Sequence, residues 1–229
     1  MLSANVGIEN TLTAFQNAAD LGYRYLETDV HVSRDGVVYA FHDANLQRLT
    51  GRAGLLRDYP STELDQLRVD GREPLPRMAD LLAAFPDASF SIDVKADDAV
   101  EATVDLIRSS GAEDRVLIGS FAHKRIRRLR SALPGVVSCL SQAEVARFVA
   151  GGPVPTGTVA SVPVSYRGIR VLTPRFVARA RRRGVAVYAW TIDDRAQMEL
   201  LLDLGVDGIV SDRPDVLREL LIDRGQWRA

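Results

Sequence analysis

The chain has 229 residues, 46% of them apolar, with 29 basic against 30 acidic side chains and a formal net charge of −1. That length suffices to bury a substantial core, and the near-neutral balance argues against nucleic acid or an anionic membrane surface as a partner. A single cysteine, Cys139, excludes an intrachain disulfide and any thiolate metal cluster, and its setting in VVSCLS predicts a buried structural thiol.

Helix-like segments are predicted near 10–21, 76–85, 98–110, 123–132, 142–150, 174–183, 194–204 and 213–223. Between them lie short apolar strands at 25–31, 89–95, 116–121, 137–141, 159–164, 185–191 and 208–211. Gly22, Gly111, Gly184 and Gly205 each follow a helix and precede a strand, as left-handed C-terminal caps would. Such alternation implies parallel strands with helical crossovers. Eight helices to seven strands, helix first, reads as an α/β chain of the TIM (β/α)8 barrel class with its first strand missing, since such a barrel takes about 250 residues and begins with a strand. An open doubly wound sheet is the alternative. Residues 43–75 break the rhythm and read as an irregular insertion in a single domain spanning 1–229. The clusters KRIRRLR (124–130) and ARRRG read as solvated helix faces. No window approaches 18 uncharged apolar residues and the N-terminus lacks a signal-peptide pattern, so a soluble, cytoplasmic protein is expected unless a leader precedes it. No motif speaks to the oligomeric state.

The stretch YLETDVHVSRDGVVYAFHD, residues 25–43, puts acids and histidines into strand-like sequence. Its Asp35-Gly36 dipeptide predicts a two-residue hairpin loop, which would set Asp29 opposite His42. Alternation then places Glu27, Asp29 and His31 on one face, joined by His42 across the ladder. A solvated strand face is the bland alternative. In either α/β architecture function sits at the C-terminal ends of strands, and these ends supply ETD (27–29), DVK (93–95), SF (120–121), WT (190–191) and SD (211–212). Carboxylates without thiolates suit a hard divalent cation, Mg²⁺, Ca²⁺ or Mn²⁺, and such a cation suits an anionic substrate such as a phosphate ester. Glu9 and Asn10 are expected to cap the first helix, Arg213 to pair with Asp212, and His123 to lie at the surface.

IENTLTAFQNAADLGYRYLETDVHVSRDGVVYAFHD resembles the opening signature of the glycerophosphodiester phosphodiesterase family, E-N-T-x-x-A-F, then G, E-x-D-V, D-G and H-D. VYAWTIDDRAQMELLLDLGVDGIVSDRP resembles its closing W-T, G-V-D-G-I and D-R-P elements, so the resemblance covers nearly the whole chain. It implies a TIM barrel with a small insertion after H-D that hydrolyses glycerophosphodiesters, small-molecule phosphodiesters, to sn-glycerol 3-phosphate and an alcohol. A divalent metal held by acids and two proton-transferring histidines would do the chemistry. Carried over, the E-x-D pair makes Glu27 and Asp29 metal ligands, and the H-D histidine is His42. The family's I-E-I-K strand falls on IDVK, making Asp93 the third ligand and Lys95 a phosphate contact, while Trp190 matches the aromatic beside the glycerol moiety. His31 has no fixed role in the family and is expected to hydrogen-bond behind the site.

Two departures stand out. Asp93 replaces the usual Glu and reaches one methylene less far. The family's initial strand, ending in H-R-G and carrying the other histidine, would fall just upstream of Met1, so Met1 is expected to be an internal methionine of a longer protein. A non-catalytic binding barrel is the rival expectation, and a lysophospholipase D-like or other phosphodiesterase is the enzymatic alternative.

Overall fold

In the computed structural model, which describes residues 7–228, the first helix, α1 (Leu12–Asp20), begins at Thr11, whose hydroxyl accepts from the Ala14 N–H at 3.2 Å. Glu9 and Asn10 therefore do not cap it. Asn10 instead takes a left-handed φ of 59° and accepts from the Thr28 hydroxyl at 2.8 Å. Met1 to Val6, on which the expectation about a longer N-terminus bears, lie outside the described residues.

After Gly22, at φ 97°, the chain enters β1 (Tyr25–Val32) and folds back as β2 (Val38–Ala40). The pairs are Val30 with Ala40, His31 with Tyr39 and Val32 with Val38. This corrects the expected register by one residue. The loop is Arg34-Asp35-Gly36, in which Gly36 N–H donates to Ser33 O at 3.1 Å and Gly36 itself stands at φ 89°. That is a turn followed by one left-handed residue, the common three-residue hairpin connection. Asp35 pins it by accepting from Ser33 Oγ at 2.7 Å, Ser61 N–H at 2.8 Å and Ser61 Oγ at 2.7 Å.

The expected irregular insertion, 43–75, is ordered around its own core. Tyr39 and Phe41 are buried with Leu46, Leu49, Leu56, Leu64, Val69 and Leu75, among short helices and a two-residue ladder of Arg68–Val69 with Glu73–Pro74. Next come α2 (Met78–Ala84), β3 (Ser89–Val94), α3 (Ala99–Ser109), β4 (Val116–Gly119) and α4 (His123–Ala132). The sheet runs β2-β1-β3-β4, antiparallel only at the hairpin. Along β3, Phe90, Ile92 and Val94 are buried, and they pack with Leu26 and Val30 of β1 against Phe15, Leu81, Val104 and Ile107 of the helices. The alternate residues, Glu27 and Asp29 of β1 with Ser91 and Asp93 of β3, therefore share the opposite face. One arginine of α4 is less solvated than expected: Arg125 donates to Val94 O and Ser120 Oγ, and only 14% of its side chain is exposed.

A second compact unit starts at residue 137. It alternates β5 (Val137–Cys139), α5 (Gln142–Val149), β6 (Thr158–Pro163), α6 (Pro174–Arg182), β7 (Val187–Trp190), α7 (Arg195–Leu204), β8 (Gly208–Ile209) and α8 (Pro214–Asp223). Its strands are parallel in the order β5-β6-β7-β8. Helix starts follow local chemistry. Ser141 and Glu144 form a reciprocal capping box, while Thr173 and Asp194 cap α6 and α7. Gly184 and Gly205 hold φ values of 64° and 87° where their helices end. Cys139 is buried and not disulfide-bonded. Arg213 pairs with Asp215 at 2.9 Å, where Asp212 was the expected partner. No helix among the described residues is long and apolar enough to cross a membrane.

Candidate active site

Parallel pairing sets Asp29 beside Asp93 at the C-terminal ends of β1 and β3, with Glu27 one turn of the pleat behind, beside Ser91. Two carboxylates facing the same way on neighbouring strands repel and need a cation between them. Lys95 supplies it. Its backbone N–H donates to Val30 O at 3.2 Å just past the end of β3, and its ammonium lies 2.7 Å from Asp29 Oδ1 and 2.9 Å from Asp93 Oδ2. The same ammonium stands 5.5 Å from the centroid of Phe121, a contact that suits a desolvated cation.

The electrostatics follow from this crowding. Burial pushes the Asp29 carboxyl above the ordinary range, and the Lys95 ammonium pulls it only part of the way back. For Lys95 burial acts downward, but Asp93 and Asp29 together more than reverse it and keep the ammonium charged. Burial lowers His31 below the usual histidine value. His31 Nε2 lies 3.2 Å from the His42 carbonyl, which only accepts, so His31 donates there and holds the backbone of His42 from behind, as expected.

His42 does not sit opposite Asp29. With the shifted register Phe41 does, donating its N–H to Asp29 O at 2.9 Å, and His42 follows as the chain leaves the ladder. Its ring is 55% exposed, with Nδ1 2.6 Å from Asp43 Oδ1. Asp43 in turn accepts from Arg48 Nε at 2.5 Å, and the two Nη atoms of Arg48 meet both oxygens of Glu9 at 2.9 and 2.6 Å. The Arg48 hydrogen bond, with that of His42, lowers the Asp43 carboxyl to about 2. Sequence reasoning missed Glu9, Asp43 and Arg48. The H-D motif displayed Asp43, but nothing periodic ties Arg48 to Glu9, 39 residues away.

Among the described residues no group of three or more His, Cys, Asp or Glu side chains is arranged to hold a metal. Glu27, Asp29 and Asp93 thus do not form the expected ligand cluster as they stand, because Asp29 and Asp93 close on Lys95. The donor chemistry nonetheless fits a hard cation: three carboxylates on one sheet face, no thiolate, and a pair already gathered around positive charge. Trp190 ends β7 in the second unit and is partly buried.

Comparison with known proteins gives a consistent set of relatives. Residues 2–216 match the family model described as the glycerophosphoryl diester phosphodiesterase family. A curated relative from Mycobacterium tuberculosis (strain ATCC 25618 / H37Rv), named "Probable glycerophosphodiester phosphodiesterase 2", is 38% identical over 229 residues, spanning 95% of this chain and 87% of the relative. The crystal structure of a glycerophosphodiester phosphodiesterase from Agrobacterium tumefaciens str. C58 superposes with a TM-score of 0.73 at 25% identity, covering 92% of this chain and 93% of that one. A phosphodiesterase from Oleispira antarctica, solved in complex with the product sn-glycerol-3-phosphate, has a TM-score of 0.79 at 21% identity, covering 93% and 91%. The fold is TIM-like α/β, as expected from the alternation.

Proposed function

The chain belongs to the glycerophosphoryl diester phosphodiesterase family, and we propose on that basis that it hydrolyses glycerophosphodiesters to sn-glycerol 3-phosphate and an alcohol with the help of a divalent cation. The observation that carries this reading is the Asp29–Lys95–Asp93 cluster, with Glu27 on its face, at the strand ends where α/β enzymes act. The product-bound Oleispira antarctica neighbour supports the substrate class.

Glu27, Asp29 and Asp93 would hold the cation. When bound, it would offset negative charge on the nonbridging phosphate oxygens. Lys95, already charged and partly desolvated, adds a second positive contact to the same phosphate. In the hydrolytic step a water oxygen bonds to phosphorus as the ester P–O bond breaks. His42 gives a proton from Nε2 to the leaving alkoxide, and the water's proton would pass to the histidine of an H-R-G segment where one precedes the chain. The His42 ring is exposed, with Nδ1 on Asp43, which leaves Nε2 accessible to a substrate.

The test is release of sn-glycerol 3-phosphate from glycerophosphocholine, with Mg²⁺, Ca²⁺ or Mn²⁺ and with chelator. It is run on the 229-residue chain and on one preceded by an H-R-G segment. Release that stops with chelator, and that H42A lowers by about 10² or more, is expected. Folded protein of both forms that releases none with any of the three cations would overturn the reading.

A further inference from the structure

The chain Glu9–Arg48–Asp43–His42 joins three separate pieces of sequence. Glu9 comes from the loop before α1, Asp43 and His42 from the exit of the hairpin, and Arg48 from the short helix Gln47–Thr50. All five donors of a guanidinium lie in one plane, and here that plane is used at both ends: Nε on Asp43, and the two Nη atoms on Glu9. Asp43 Oδ2 is thereby taken, leaving Oδ1 for His42 Nδ1 at 2.6 Å. An ionised carboxylate can only accept, so the proton between these two atoms belongs to Nδ1, and the free edge of the ring is Nε2.

We propose that Arg48, anchored by Glu9, is a positioning residue that fixes the orientation of Asp43 and through it the tautomer and the angle of the His42 ring. This rests on the proposed role of His42 as the proton donor. In the step itself the proton leaves His42 Nε2 for the alkoxide oxygen as the P–O bond breaks, and the ring becomes neutral with its remaining proton on Nδ1, still held by Asp43. Without the guanidinium Asp43 is free to turn away, and the neutral ring loses the partner that selects the Nδ1–H form. The side chains of the chain are between a quarter and just over a half exposed, so the contacts add little to stability, and their value lies in geometry.

The experiment compares wild type, H42A, R48Q, R48K and E9Q by steady-state kinetics on glycerophosphocholine and by ¹⁵N NMR of ring-labelled histidine. R48Q is expected to lower kcat by about 10-fold to 100-fold with KM changed less than about twofold. R48K, which keeps the charge but not the fork, should recover only part of that loss, and E9Q should fall between wild type and R48Q. In the NMR spectrum the neutral His42 ring, the form left once Nε2 has given up its proton, is expected as the Nδ1–H tautomer in wild type and as a mixture weighted to Nε2–H in R48Q, with an unfolding midpoint near that of wild type. Loss of activity in H42A alongside wild-type kcat and an unchanged His42 tautomer in R48Q would overturn this inference while leaving the proposed function standing. Wild-type activity in H42A would instead overturn the role of His42 and the inference with it.

Discussion

At the scale of single residues, the position of Lys95 decides the character of the site. The chain has two lysines among 29 basic residues, and one of them stands between two carboxylates. Replacing it with alanine leaves Asp29 and Asp93 facing each other without a countercharge, and the site then gains more from a bound cation. K95A is expected to lose about 10² or more in kcat/KM, and Mg²⁺ or Ca²⁺ should raise its unfolding midpoint further than that of wild type. A thermal-shift titration in which the cation acts equally on both proteins would count against Asp29 and Asp93 as ligands. The residue types of this site were legible in the sequence, because E-x-D, H-D and D-V-K are contiguous strings. The salt bridges were not, because no string says which of several acids an ammonium will meet.

At the scale of elements, the hairpin shows how a local signal can mislead by one position. Asp35-Gly36 does turn the chain, but the loop is three residues long, and the Asp35 carboxylate reaches out of it to Ser61. Ser33, with Ser61, holds that carboxyl far below the usual carboxylate range. A depressed acid contributes stability above its unfolded value near 4, and loses it as pH falls through that value and below. D35N should therefore flatten the acid limb of a stability–pH curve below about pH 4 and leave the curve's shape unchanged at neutral pH. Gly36 supplies the left-handed residue, and a Cβ there would meet nothing within 4 Å, so the cost of substitution is purely one of backbone conformation. G36A is expected to cost about 1 kcal/mol in chemical denaturation, with activity lost only in proportion to unfolding. Helix ends were the most legible elements, since caps such as Ser141 with Glu144 and glycines such as Gly205 act within a few residues of themselves.

At the scale of the whole molecule, the face of the sheet that carries the acids depends on the face that does not. Phe90, Ile92 and Val94 are buried under the helices, and their burial directs Ser91 and Asp93 to the other side. I92A removes a fully buried side chain from this layer and is expected to cost about 2–5 kcal/mol. If the strand keeps its register, activity per folded molecule should persist below the new midpoint. A loss of activity in fully folded I92A would mean that the core also sets the spacing of Asp29 and Asp93.

The order of helices and strands, the glycine stops and the strand-end motifs were determined by the sequence alone, because periodic burial and capping act over a few residues. The one-residue shift of the hairpin, the core that orders residues 43–75, the closure of Asp29 and Asp93 on Lys95 and the reach of Arg48 to Glu9 were decided only in the tertiary structure. Each depends on side chains far apart in the chain competing for the same partner, and such competition is resolved by distance in space, of which a linear pattern carries no trace.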